Sequence, residues 1–224
     1  MNKILLPNTL IFGGGALNEI VNILKSLQKK SPFIITDNNM IKLEIINPLK
    51  AKLNSAKVKY EIYQDTIPEP TSESILKAVE ILKKGNFDSI IAFGGGSPID
   101  SAKAVSALAT FGGKMSDYKF PYIFDKPAIP IIAIPTTAGT GSEVTKFTII
   151  TDEETDEKML CVGTGFLPAA AIVDYELSLT VPSRTTADTG IDALTHAIEA
   201  YVSKKANFFS ATQDISAMKL IFPN

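Results

Sequence analysis

His196 is the single histidine in 224 residues, and Asp192 stands four positions before it in Gly190-Ile191-Asp192-Ala193-Leu194-Thr195-His196-Ala197-Ile198-Glu199-Ala200-Tyr201. On a helix that spacing stacks a carboxylate and an imidazole on one face, where together they could grip a divalent metal. A metal that does chemistry usually takes about three protein ligands and keeps one position open. The chain has no second imidazole to give. The plain alternative is a surface carboxylate beside a satisfied core histidine. Ala193, Leu194, Ala197, Ile198 and Tyr201 make the apolar face, with His196 beside it, so the pair is expected to point into a cleft.

A second group of residues suits an anion. Ser89-Ile90-Ile91-Ala92-Phe93-Gly94-Gly95-Gly96-Ser97-Pro98-Ile99-Asp100-Ser101-Ala102-Lys103 reads as strand, glycine turn and helix, with Ser97 as N-cap and Pro98 at the first helical position. Glycines let the backbone approach a pyrophosphate, and a helix N-terminus offers it free N–H groups and a positive dipole. An ordinary glycine turn with a good cap is the alternative. The segment is neither a Walker loop, which needs Gly-Lys-Ser/Thr, nor a standard dinucleotide fingerprint. In that fingerprint an acidic ribose ligand follows the glycines by about 20 residues, whereas here Asp37 precedes them, after Phe33-Ile34-Ile35-Thr36. Asp37 either holds a ribose hydroxyl or caps the next helix, and on the residues alone the cap is favoured.

Ile134-Pro135-Thr136-Thr137-Ala138-Gly139-Thr140-Gly141-Ser142-Glu143-Val144-Thr145 is dense in hydroxyls and glycines directly after an apolar run. Open α/β sheets bind ligands at the carboxyl ends of their strands, where such a loop belongs. A merely solvated loop would use lysine or arginine as readily. Gly13-Gly14-Gly15 reads as a turn and helix entry. No Gly-x-Ser-x-Gly elbow occurs, which disfavours hydrolase chemistry of that kind.

These groups need a scaffold. Short β-branched runs at 33–36, 58–63, 89–93, 131–134, 147–150 and 171–173 alternate with helical patterns at 16–28, 72–84 and 98–110, the signature of a parallel sheet covered by helices. The stretch 40–55 also looks helical, with Pro48 set to kink or divide it. After Val181-Pro182-Ser183 the pattern is helical only, over 185–202 and 208–220. The expected organisation is an α/β dinucleotide-binding domain over residues 1–181 and the first helices of an all-helical domain over 182–224.

At 45% hydrophobic the chain can bury a substantial core. A net charge of −2, with scattered lysines, argues against nucleic acid or an anionic membrane as the main partner. The lone Cys161 excludes an internal disulfide framework and suits a reducing compartment. The opening Met1-Asn2-Lys3-Ile4-Leu5-Leu6-Pro7 is too quickly interrupted for a signal peptide, and no apolar run is long enough to span a bilayer. A soluble cytoplasmic protein is expected.

Taken together, the three segments 94–103, 135–143 and 190–201 resemble the iron-containing (group III) alcohol dehydrogenases in order and spacing, and the likeness runs from Leu10-Ile11-Phe12-Gly13 to the last helix. The resemblance implies a Rossmann-like domain, a helical domain and an active site in the cleft between them. It implies NAD (or NADP) held at Gly94, Gly95, Gly96, Ser97 and Asp100, with Asp37 favouring NAD through the ribose. Thr136, Thr137, Thr140 and Ser142 would line the cofactor site, with Lys158 and Leu177 as weaker assignments. Asp192 and His196 match the first two ligands of a metal, commonly Fe²⁺ and sometimes Zn²⁺. That metal would act as a Lewis acid on the alcohol oxygen while hydride passes between an alcohol or aldehyde and the nicotinamide. Family members form homo-oligomers.

The family completes its metal site with two further histidines that this chain does not contain. The reading is therefore an amino-terminal portion of such a dehydrogenase, catalytically incomplete as it stands, with no proton-relay residue assigned. A noncatalytic nucleotide-binding module is the rival. A dehydroquinate-synthase-like lyase fits the Pro-Thr-Thr and Asp-Ala-Leu-Thr-His segments less well. The apolar faces of 185–202 and 208–220 are expected to lie exposed.

Overall fold

The computed structural model describes residues 3–223; Met1, Asn2 and Asn224, named above at the two ends, lie outside the described residues. Six parallel strands form one sheet in the order β1 (Thr9–Phe12), β8 (Ala170–Val173), β5 (Ile131–Pro135), β4 (Ser89–Gly94), β2 (Pro32–Asp37) and β3 (Glu61–Thr66). Helices α1 (Ile20–Ser26) and α3 (Asn47–Ser55) cover one face, and α4 (Ser72–Lys84) and α5 (Gly96–Phe111) cover the other.

Strand residues alternate between these two cores. Phe33, Ile35, Ile90 and Ala92 pack toward α4 and α5, while Ile34, Ile91 and Phe93 pack toward α1 and α3. Strands covered on both faces read as continuous apolar runs, and β4 and β5 are buried along their whole length. α5 is buried on nearly every side from Pro98 to Leu108, and its small residues Ala102, Ala104 and Ala107 let it sit close to its neighbours.

The winding reverses once. From β2 the chain steps outward to β3, then crosses back to lay β4 on the other side of β2 and continues to β5 and β8. The carboxyl ends of β2 and β4 therefore flank a switch point, where helices leave in opposite directions and a crevice opens. Asp37 ends β2 and Gly94 ends β4.

Several expectations need correction. The run 147–150 is no part of the parallel sheet. It belongs to β6 (Phe147–Asp152), which pairs antiparallel with β7 (Glu157–Val162) as a separate hairpin. The intervening Glu153-Glu154-Thr155-Asp156 makes that hairpin's turn, with Asp156 at positive φ. β1 was unforeseen, because an edge strand buried on one side only gives four residues of weak signal. The stretch 16–28 divides into a 3₁₀ turn at Ala16–Glu19 and α1. Pro48 does divide the next stretch, into α2 (Asn38–Lys42) and α3, which carries that proline in its first turn.

After the sheet come α6 (Ser183–Val202) and α7 (Phe208–Ile221), packed on each other. Asn207 caps α7 by accepting from the N–H groups of Phe209 and Ser210. Of α6 only Ala197 is buried, while Ile191, Val202, Phe208 and Phe222 stand 63%, 70%, 89% and 82% exposed. No helix among the described residues is long and apolar enough to cross a membrane. Exposed apolar area of this kind drives association. Sedimentation should show self-association, and limited proteolysis should cut first around 181–186 and 203–207. A monodisperse monomer whose last 40 or so residues (about the two-helix segment) resist protease would contradict this.

Candidate functional site

The crevice is built from two strand ends and two glycine turns. After β4, Gly94 adopts φ 141°, where a side chain would be strained and would sit 2.7 Å from Pro98 Cγ. That turn lets α5 begin at Gly96 with Gly95 as N-cap, so Ser97 lies inside the helix and is not its cap. A Ser-Pro pair mimics a cap and first helical residue, but the glycine backbone sets the start. No side chain caps this N-terminus. Its orphan N–H groups and dipole face the crevice.

Asp37 shows that its two readings are compatible. Oδ1 accepts from the N–H groups of Asn39 (2.8 Å) and Met40 (3.2 Å), capping α2. Oδ2 turns the other way, 3.4 Å from the place a Cβ on Gly94 would occupy. The hydroxyls of Thr36 and Thr66, at the ends of β2 and β3, are buried with no hydrogen-bond partner.

The threonine loop leaves β5 over the same glycines. The Thr136 N–H donates to Gly94 O (3.0 Å), and its buried hydroxyl donates to Met40 Sδ (3.6 Å). A Cβ on Gly95 would lie 3.3 Å from Thr137 Oγ1, and one on Gly96 would lie 2.8 Å from Thr140 Cγ2. Glycine is what permits loop and turn to come this near. Thr140 Oγ1 accepts from the Ser142 N–H (3.2 Å). Ser142 Oγ donates to Asp100 Oδ1 (2.5 Å), whose Oδ2 accepts from Ile149 N–H (3.0 Å). Burial raises the Asp100 carboxyl above its ordinary range, with Lys103, Ser142 and the Ile149 N–H pulling the other way. Both Asp100 oxygens are thus engaged by the loop and the hairpin. Fully buried Lys103, to which the sequence reading gave no role, donates into the same group.

The two weaker assignments lie further out. Lys158 is exposed on β7, with its ammonium 2.7 Å from Glu69 Oε1. Leu177, in the 3₁₀ turn after β8, is buried in the core beneath α1 and α3.

The first glycine turn is the informative contrast. Buried Asp174, just past β8, accepts from the N–H groups of Gly15 (3.2 Å), Leu17 (2.9 Å) and Glu176 (3.1 Å). The chain's own carboxylate therefore fills the anion slot at Gly13-Gly14-Gly15. Nothing in the sequence reading singled out Asp174, though an aspartate directly after a strand, facing a glycine turn, was the available signal.

Asp192 and His196 share one face of α6, with Oδ1 and Nε2 3.8 Å apart. Asp192 Oδ2 lies 3.1 Å from where a Cβ on Gly139 would stand, so the threonine loop reaches this helix. A carboxylate oxygen and an imidazole nitrogen suit Fe²⁺ or Zn²⁺ in kind. In number they fall short: the described residues contain no cluster of three or more potential His, Cys, Asp or Glu ligands.

A doubly wound parallel sheet with a glycine turn and a hydroxyl-rich loop at its switch point defines a Rossmann-like α/β protein, here followed by a helical pair. Comparison with known proteins narrows this. Residues 7–175 match the model for iron-containing alcohol dehydrogenase, and residues 186–224 match the C-terminal model for the Fe-containing alcohol dehydrogenase family. The chain belongs to that family.

Among its relatives, alcohol dehydrogenase 4 of Schizosaccharomyces pombe is 39% identical, the match covering 96% of this chain and 51% of that protein. NAD-dependent methanol dehydrogenase of Bacillus methanolicus is 37% identical, over 99% of this chain and 58% of that protein. Among solved structures, a 1,3-propanediol oxidoreductase superposes with a TM-score of 0.95 at 34% identity, covering all of this chain and 59% of that one. Sulfoacetaldehyde reductase from Bifidobacterium kashiwanohense, in complex with NAD+, gives 0.91 at 31% identity, over 99% and 59%. The chain spans little more than half the length of these relatives.

Asp174→Ala should lower stability by about 1–3 kcal/mol, since it strands the buried Leu17 N–H and the part-buried N–H groups of Gly15 and Glu176. Asp174→Asn, which keeps one acceptor, should cost less. Equal melting temperatures for wild type and Asp174→Ala would refute the assignment.

Proposed function

We propose that the crevice binds NAD and that the whole protein oxidises an alcohol, or reduces an aldehyde, by hydride transfer to or from the nicotinamide. One observation carries the reading. Of the two glycine turns, the one at Gly13–Gly15 has its N–H groups taken by Asp174, while the one at the switch point leaves the α5 N-terminus without a side-chain cap. Membership of a family whose relatives include an NAD-dependent methanol dehydrogenase, and likeness to a structure holding NAD+, support it.

In this reading Gly94, Gly95, Gly96 and Ser97 receive the pyrophosphate on backbone N–H groups, aided by the helix dipole. Asp37 Oδ2 accepts from a ribose hydroxyl while Oδ1 keeps its cap. The same carboxylate repels a 2′-phosphate, which favours NAD over NADP. Thr137 and Thr140 close the slot from the loop side. Thr136, Asp100 and Ser142 support the loop from behind, Leu177 contributes from the core beneath α1 and α3, and Lys158 contacts phosphate only by leaving Glu69. The nicotinamide carries the hydride; the protein orients it.

Asp192 and His196 are proposed as two ligands of a divalent ion. Two donors do not by themselves make a holding site. This polypeptide alone should bind nucleotide without turning over alcohol, even with Fe²⁺ or Zn²⁺ supplied. Measured turnover would overturn that statement.

NADH fluorescence titration tests the cofactor reading. NADH should bind at least about tenfold more tightly than NADPH, a gap of roughly 1.4 kcal/mol. Asp37→Asn keeps an acceptor for the α2 cap and should narrow that gap. No binding of either nucleotide, or equal binding of both, would sink the proposal.

A further inference from the structure

Lys103 lies on the buried face of α5 and is fully inaccessible to solvent. A buried ammonium is costly unless its donors are satisfied, and this one has four acceptors. Nζ donates to Phe147 O (2.6 Å), Ser142 O (2.8 Å), Ser142 Oγ (2.9 Å) and Thr145 Oγ1 (3.2 Å). None of the four belongs to α5. All lie in the threonine loop or at the first residue of β6. The helix is held to the sheet without the lysine, through Ile99, Ala102, Val105 and Leu108.

The contacts continue from the lysine to the glycine turn. Ser142, held through both its carbonyl and its hydroxyl, donates its N–H to Thr140 Oγ1, and Thr140 Cγ2 in turn sits against Gly96. The charged groups around the ammonium are Asp100, from its own helix, and Glu143, from the loop. Asp100 reaches it only through the shared Ser142 hydroxyl. Burial lowers the ammonium to about 8, while Asp100 and Glu143 pull it upward. The group is thus poorly solvated and anchored mainly by neutral oxygens.

We propose that Lys103 is a positioning residue that pins the threonine loop against the start of α5, where Thr140 packs on Gly96, and thereby fixes the loop beside the N–H groups that the nucleotide pyrophosphate would reach. The ligand rests on the NAD reading above; the pinning does not. Lysine suits the task because one compact ammonium on a long stem can gather carbonyls and hydroxyls from several directions. The oxygens it gathers come from residues 142, 145 and 147, a span with no regular hydrogen-bonded structure longer than the 3₁₀ turn Ser142–Val144. Without the ammonium that span loses its common anchor.

The test is amide hydrogen exchange combined with NADH titration on the 224-residue chain, using Lys103→Met and the milder Thr145→Val. Lys103→Met should speed exchange over residues 142–149 at least about tenfold while the core of α5 stays protected, and should weaken NADH binding about ten- to hundredfold. Thr145→Val, which deletes one acceptor, should move both readouts the same way by roughly two- to fivefold. A destabilisation spread evenly over α5 and the sheet would overturn the proposal, as would a loosened loop with unchanged NADH affinity. If Lys103→Met does not fold, Thr145→Val decides: coordinated change supports the pinning and no change refutes it. Failure of the wild-type chain to bind NADH would overturn the nucleotide reading instead, and loop-specific exchange would still judge the pinning.

Discussion

Every helix that follows a parallel strand begins with N–H groups that no helical carbonyl can reach, and in a buried setting those groups must find an acceptor. This protein meets the requirement in different ways along one edge of its sheet. Asp37 caps α2 and Thr71 caps α4, while Asp174 crosses from β8 to satisfy the turn after β1. Among the described residues, α5 is the α-helix that directly follows a parallel strand and has no side-chain cap. The crevice is thus defined as much by where carboxylates have been spent as by where one is missing.

The second constraint is distance. The glycine turn and the threonine loop meet at contact range, and the two come from different parts of the chain. Gly95 and Gly96 allow this by lacking side chains, and Thr137 and Thr140 pack into the space they leave. The loop that carries those threonines is held from beneath by Lys103, Ser142 and Asp100 and continues into the β6–β7 hairpin. A second strap ties the hairpin to the start of α4, where Thr151 N–H donates to Pro70 O and Glu73 N–H to Glu153 Oε1. The hairpin lies outside the parallel sheet, yet it braces the loop that closes the site.

The sequence made part of this plain. Glycine turn, threonine loop and the Asp192–His196 pair are local patterns, and each sits at an edge or end where its chemistry can act. Three other features depend on contacts distant in sequence and left little local trace. Asp174 serves residues 157 and 159 positions away. Lys103 occupies a position where a lysine is ordinarily taken as solvated, and its burial comes from a loop 39–44 residues further on. The N-cap of α5 was misjudged because serine before proline is a strong local signal, whereas the true start follows from the φ angle of Gly94. The closeness of Asp192 and His196 was legible, since four-residue spacing on a helix needs no tertiary knowledge.

Gly139 has one further consequence. It is where the threonine loop meets α6, with Thr189 O and Asp192 Oδ2 at 3.0 and 3.1 Å from the Cβ it does not have. Gly139 and Asp192, 53 positions apart in the sequence, are therefore separated only by the thickness of a bare peptide. A displacement of either partner is transmitted to the other with no side chain between them to absorb it, so this contact acts as a gauge that fixes how far apart the two halves of the site can stand.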